Sequence, residues 1–462
     1  LFFIYFAMDM YAESKSKWVC SPVRVNFHRE RIAIMQGNVT PLRPTQSFRN
    51  AELPEFVSLR VEKYYRERVR DTWGGGHIMR GRAPGAGALH LSSNDYLAIA
   101  RHPQIQQAMA ASMLHEGNGM LMSGIFLHGA SPQLDLEERL AAYLQAEAGV
   151  LCQSGYNANV GLLQAIAHDQ TPVYADMMAH MSLWEGIRSA GAKPVTFFHN
   201  DMRHLERQML RHGPGVVVVD SVYSTSGSLC PLAEIVALCE AQGSVLVVDE
   251  SHSLGTHGPA GAGLVVELGL AERVHFRTAS LAKAFAGRAG YIACSRRFQE
   301  YFKFEANPAI FSSTLLPHEV RGLDATLAVI RAEDWRRARL RAIAAHVRAE
   351  LDAQGYNLND SAAQIVSLES GTEEKTIELR DALEARGIFG AIFCAPATPK
   401  NRALMRFSLN AGMSDAEVER LIAACRDIRA EVDMANWPST RRKQRGAPAG
   451  AEQAPAPRMA AA

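Results

Sequence analysis

An aspartate closes the apolar run Val245-Leu246-Val247-Val248, and a lysine follows 34 positions later, Asp249 to Lys283. His252 stands three residues past the acid and Ser280 three before the amine, with a glycine-bearing stretch, Gly255 to Gly263, between them. A short apolar run ending in a carboxylate reads as a buried parallel strand that delivers its acid to the sheet's C-terminal edge. In open α/β sheets the ligand crevice lies at that edge. Asp249 and Lys283 are therefore expected to enter one crevice from two strand ends, the second strand lying near Val274-His275-Phe276.

Those residue types suit the chemistry of pyridoxal phosphate. A carboxylate beside the ring nitrogen favours its protonated form, and the ring can then accept electrons from a carbanion. Asp249 is placed for that nitrogen, His252 for the phenolic oxygen and Ser280 for the phosphate. Lys283 would form the Schiff base and, once substrate displaces it, serve as general base. A strand-end aspartate alone is commonly a cap, and a lone lysine is commonly solvated. The ordered set with its glycine loop is far more specific.

The elements around this pair alternate. Val150-Leu151-Cys152 reads as a strand running into Ser154-Gly155-Tyr156-Asn157-Ala158-Asn159, a strand-to-helix turn whose backbone N–H groups suit a phosphate. Further strands are expected at Pro172 to Asp176, at Phe197-Phe198, at Val216 to Asp220 and at Tyr291 to Ser295, with helices between them. That order implies right-handed crossovers and a mostly parallel sheet. His180, after the Asp176 strand, is a candidate to stack on the cofactor ring with Tyr156 as its neighbour. Helical sequence from about 319 to 354, runs at 365–368 and 404–409 and a last helix at 415–432 make a smaller α+β unit.

The expected organisation is a leader over 1–52, an N-terminal arm over 53–90, a large cofactor-binding domain over 91–318, a small C-terminal domain over 319–435 and a disordered tail over 436–462. The first eight residues are apolar but far short of the roughly 20 that span a bilayer, and no basic segment precedes them. The leader reads as an over-extended or trimmed start, with Met8 or Met35 nearer the real one.

At 462 residues and 47% hydrophobic content the chain can bury a large core, and a net charge of +1 gives no general attraction to nucleic acid or membranes. Seven cysteines scattered singly, without metal-ligand pairing, suit a reducing cytoplasm and no metal site. The basic cluster Arg441, Arg442, Lys443 and Arg445 reads as part of a solvated tail.

From about residue 53 to 432 the chain resembles the α-oxoamine synthases, pyridoxal-phosphate transferases of fold type I. The likeness rests on Ser93-Asn94-Asp95-Tyr96-Leu97, Ser154 to Asn159, His180-Met181-Ser182, His199-Asn200-Asp201, Asp249 to Gly255, Thr278 to Lys283 and Arg406-Phe407-Ser408-Leu409. It is nearest the CqsA/LqsA-type quorum-sensing autoinducer synthases, through Ala179 to Gly186, Asp220 to Thr225 and Pro308 to Pro317.

The resemblance implies Lys283 as Schiff-base lysine, Asp249 on the ring nitrogen, His252 on the phenolic oxygen and His180 stacked on the ring. It implies Ser154, Gly155, Tyr156, Ser224 and Ser280 around the cofactor, and Ser312 and Ser313 reaching the cofactor phosphate of a partner subunit in a homodimer. Asn94, Tyr96 and Arg406 would line the substrate pocket, with Arg406 holding the amino acid's carboxylate.

The implied reaction joins an amino acid to an acyl-coenzyme A, releasing carbon dioxide and coenzyme A. For the autoinducer branch the donors would be S-adenosylmethionine or 2-aminobutyrate with a medium-chain acyl group. Two departures from commoner members, Asp220-Ser221-Val222-Tyr223-Ser224-Thr225 and the lack of a histidine near Gln133 and Leu134, favour that branch. The rival readings are another α-oxoamine synthase, making 2-amino-3-oxobutyrate or 8-amino-7-oxononanoate, and a non-catalytic partner subunit, against which the retained Lys283 counts.

Overall fold

Valine-rich runs bounded by glycine, proline or acid residues become the strands that carry the site. A computed structural model describes residues 51–358 and 360–440. The strands are β1 (Leu89–His90), β2 (Ala148–Cys152), β3 (Pro172–Asp176), β4 (Lys193–Phe197), β5 (Val216–Asp220) and β6 (Val245–Asp249). They continue as β7 (Phe276–Ser280), β8 (Gly290–Cys294), β9 (Ile365–Gly371), β10 (Ile388–Phe389), β11 (Ala391–Phe393) and β12 (Ala403–Ser408).

Seven strands form one sheet in the order β2-β8-β7-β6-β5-β3-β4. The pairings from β7 through β6, β5 and β3 to β4 are parallel, and β8 runs antiparallel between β7 and β2. The mostly parallel sheet expected from the strand–helix alternation is present. Its central strands are buried on both faces, which is why they read as unbroken apolar runs. Side chains alternate between faces: Val216, Val218 and Val247 join one apolar cluster, Val217, Val219, Leu246 and Val248 the other. Register then decides where chemistry can occur, because Asp220 pairs with Asp249 and Asp249 with Thr278.

The strand expected near 274–276 lies further along, at Phe276–Ser280. Its Arg277, Thr278 and Ala279 are buried, so polarity concealed a strand that leads to Lys283. The helical stretch expected over 319–354 is two helices, Pro317–Ala332 and Asp334–Ala353, parted at Glu333.

A second, antiparallel sheet of order β11-β12-β9 carries Arg406 on its middle strand. The segment expected as an N-terminal arm is tied to this part of the chain: β1 pairs with β10, Arg380 donates to the Ile78 carbonyl at 2.6 Å, and the Trp73 indole donates to Glu373 at 2.6 Å.

Among the described residues, those from 59 onward belong to one compact unit. The expected leader lies almost wholly outside the described residues, as does the basic cluster from Arg441. The disordered tail expected from 436 begins too early. Trp437 is 1% exposed with its indole donating to the Val432 carbonyl, and the Ser439 hydroxyl donates to the Glu369 carbonyl. The buried indole and these hydrogen bonds together tie the stretch to the core.

Candidate active site

The C-terminal ends of β5, β6 and β7 bring the chemistry together. Both oxygens of the buried Asp249 accept hydrogen bonds, Oδ1 from the Ser251 backbone N–H at 2.8 Å and Oδ2 from the Asn159 amide at 2.7 Å. Asn159 also donates to Ser182 Oγ at 2.8 Å, and the Thr278 hydroxyl donates to its Oδ1 at 2.6 Å. Ser182 Oγ lies 2.7 Å from Nδ1 of His180, which caps the helix Met181–Ser189. Burial, above all, holds the His180 imidazole below its usual range, against the pull of Asp249.

Lys283 stands three residues beyond β7. Its amine is held below the usual ammonium range, first by burial and then by the Arg406 cation, while Asp249 draws it up. The acid and the amine thus interact electrostatically. His252 is pushed well below the usual imidazole range by burial and then by the Lys283 and Arg406 charges. Its Nδ1 is 2.7 Å from the Tyr96 hydroxyl, which donates to Asn94 Oδ1 at 3.1 Å. Burial raises that phenol to about 12.

Arg406 joins the far side of the crevice. One guanidinium nitrogen donates to the Ser224 carbonyl at 2.8 Å and another to Asn94 Oδ1 at 3.1 Å, with the group 4.7 Å from the centre of the Phe393 ring. Its Nε is buried and without a partner. A buried cation with an unmatched donor is suited to a carboxylate ligand.

A phosphate cradle lies at the start of the helix Gly155–Ile166. Ser154 caps it, its Oγ accepting the Asn157 N–H at 3.1 Å. A Cβ on Gly155 would sit 2.6 Å from Ser280 Cβ and 2.8 Å from its Cα. Only glycine allows the helix N-terminus to approach Ser280 this closely, and aligned N–H groups there favour an anion.

Tyr156 is exposed and makes no ring contact with His180 among the described residues. Ser313 accepts the Gln153 side-chain amide on its carbonyl at 2.6 Å, and the Ser312 hydroxyl donates to the Pro308 carbonyl.

Sequence reasoning gave no role to Asn159, Ser182 or Thr278, although all three lie inside the motifs that were read. Nothing in linear spacing marks a polar side chain as the partner of a strand-end acid. In the sequence Asp220 is a strand end and the first residue of a segment that departs from commoner members, with no role at the cofactor. It is buried beside Asp249, Oδ1 accepts the His180 N–H at 3.3 Å, Oδ2 has no partner, and burial raises its carboxyl well above the usual range.

The donor set fits pyridoxal phosphate: an acid with both oxygens held, an unbonded amine, a glycine-lined anion cradle and an orphaned buried guanidinium nitrogen. Among the described residues no cluster of histidine, cysteine or acid side chains could hold a metal, and no helix is long and apolar enough to cross a membrane. Fold and crevice together define a pyridoxal-phosphate transferase of fold type I.

Comparison with known proteins narrows this class. Residues 86–424 match the aminotransferase class I and II family. The chain is 46% identical over 375 residues to the CAI-1 autoinducer synthase of Vibrio campbellii, covering 81% of this chain and 95% of that protein. It is 33% identical over 349 residues to an 8-amino-7-oxononanoate synthase of Anaeromyxobacter dehalogenans, covering 75% and 88%.

Among solved structures, a Sphingomonas wittichii serine palmitoyltransferase superposes with a TM-score of 0.73 at 23% identity, over 82% of this chain and 98% of that one; the likeness is one of fold. The chain belongs to the aminotransferase class I and II family, as a pyridoxal-phosphate-dependent acyltransferase of the α-oxoamine synthase type.

Proposed function

We propose that this enzyme makes an α-aminoketone precursor of an α-hydroxyketone autoinducer from a medium-chain acyl-coenzyme A and S-adenosylmethionine or 2-aminobutyrate. The observation that carries the reading is the crevice shared by Asp249, Lys283, His252 and Arg406, in a chain that covers 95% of an autoinducer synthase at 46% identity.

When bound, pyridoxal phosphate supplies an electron sink for the carbanion formed at the amino acid's α-carbon. Asp249, its oxygens fixed by Ser251 and Asn159, would keep a proton on the ring nitrogen. His252, oriented through Nδ1 by Tyr96, would use its other nitrogen for the phenolic oxygen. Ser154, Gly155, Tyr156 and Ser280 would hold the phosphate, and His180 would lie against the ring.

Lys283 would carry the cofactor and, with its lowered proton affinity, take the α-proton of the substrate. Arg406 would bind the substrate carboxylate, with Asn94 and Tyr96 shaping the pocket and Ser224 anchoring the guanidinium. In a homodimer Ser312 and Ser313 would complete the partner's phosphate site. We place the enzyme in the cytoplasm, a reading supported by six described cysteines that are free and buried.

A second reading is an 8-amino-7-oxononanoate-type synthase, favoured by the 33% identical relative. Mass spectrometry of products from purified enzyme, offered a panel of acyl thioesters and amino donors, separates the two. A product from S-adenosylmethionine or 2-aminobutyrate with medium-chain acyl-coenzyme A supports the first. Formation of 8-amino-7-oxononanoate in place of such a product would replace it with the second.

A further inference from the structure

We propose that Asn159 is a positioning residue that couples the Asp249 carboxylate to the tautomer of His180, leaving the imidazole proton on Nε2. This deepens the pyridoxal-phosphate reading of the site and rests on it.

The direction of each hydrogen bond follows from the groups involved. A carboxylate oxygen only accepts, so Asp249 Oδ2 draws the Asn159 amide nitrogen toward itself at 2.7 Å. That leaves Asn159 Oδ1 facing Thr278, whose hydroxyl donates at 2.6 Å and prevents the amide from flipping. The second amide proton goes to Ser182 Oγ at 2.8 Å. Having accepted there, Ser182 directs its own proton to His180 Nδ1 at 2.7 Å. The Ser182 backbone N–H, which can only donate, points at the same nitrogen at 3.3 Å.

His180 Nδ1 therefore accepts, and a neutral imidazole must carry its proton on Nε2. Asn159, Ser182 and Thr278 are each 1% exposed or less, which closes the chain to bulk solvent. The burial that keeps the imidazole neutral supports the same end. His180 then meets the bound cofactor and substrate as a hydrogen-bond donor with a flat face, and base chemistry is left to Lys283.

The test uses holoenzyme reconstituted with pyridoxal phosphate and labelled with 15N-histidine, with the His180 signals assigned by their loss in His180→Gln. In wild type, Nδ1 should be unprotonated and Nε2 protonated. Asn159→Ala should give a mixture of tautomers and weaken pyridoxal phosphate binding about ten- to a hundredfold, the effect of losing one hydrogen bond to a charged group. Thr278→Val, which keeps the side chain's shape, should move both readings the same way, and Thr278→Ser should restore them. Should Asn159→Ala not fold, the Thr278 pair carries the test.

A proton on Nδ1 in wild type, or an unchanged tautomer in the folded variants, overturns the coupling. Wild type that binds no pyridoxal phosphate at all overturns the functional reading instead.

Discussion

Replacing Asp249 with asparagine separates what this side chain does for folding from what it does for chemistry. Both of its oxygens accept, from Ser251 N–H at 2.8 Å and from the Asn159 amide at 2.7 Å. An asparagine offers one oxygen and one NH2 group. If its oxygen faces Asn159, its NH2 meets the Ser251 N–H; turned over, it meets the Asn159 NH2. Either orientation turns one good hydrogen bond into a donor–donor contact, which costs about 1–3 kcal/mol of stability. A domain stable by about 5–15 kcal/mol remains folded after such a loss.

The catalytic cost is larger. Removing a preorganised group aimed at developing charge lowers kcat about 10²- to 10³-fold. Urea unfolding of the cofactor-free protein should show the modest stability loss. Coenzyme A release, followed with a thiol reagent on cofactor-saturated enzyme, should show the rate loss. A folded, cofactor-loaded Asp249→Asn enzyme with kcat within about tenfold of wild type would refute the pairing of this acid with the ring nitrogen.

Three more outcomes are expected. Lys283→Ala should lose both turnover and the near-visible absorbance of lysine-bound cofactor; catalysis by that variant would falsify the assignment. Gly155→Ala places a Cβ 2.6 Å from Ser280 Cβ and 2.8 Å from its Cα, so the helix start must move, at a cost of about 1–3 kcal/mol. The variant should lose cofactor on dialysis against cofactor-free buffer, and undiminished retention argues against a phosphate cradle there.

His252 has its folded-state proton affinity pushed well below the usual range, so below about pH 6.5 the unfolded chain binds a proton that the folded one does not. Stability from this residue is present above that pH and is lost as pH falls, by about 1.4 kcal/mol per pH unit until the folded imidazole protonates. Relative to His252→Asn, wild type should therefore lose denaturant resistance between pH 6.5 and 5. Parallel curves for the two proteins would show that the imidazole is not held neutral.

Strand ends were the most legible part of the site. Val216–Asp220 and Val245–Asp249 announce themselves because a strand buried on both faces must be apolar until it reaches the edge. The strand before Lys283 was misplaced, since its Arg277 and Thr278 are polar yet buried, Thr278 donating to Asn159 and Arg277 lying in the field of the Glu250 carboxylate. Trp437 shows the same limit: the proline- and alanine-rich sequence after it suggested disorder, while its indole is buried through contacts made in three dimensions.

Sequence alone determined the alternation of strands and helices through the middle of the chain, the spacing of the acid and the amine, and the cofactor they suit, because local periodicity and residue chemistry are carried by neighbours in the chain. Tertiary structure decided the register of Asp220, Asp249 and Thr278, the return of Arg406 from the second sheet onto Asn94 and Ser224, and the relay through Asn159. Those depend on which segments, often more than a hundred residues apart, come to share a buried hydrogen bond.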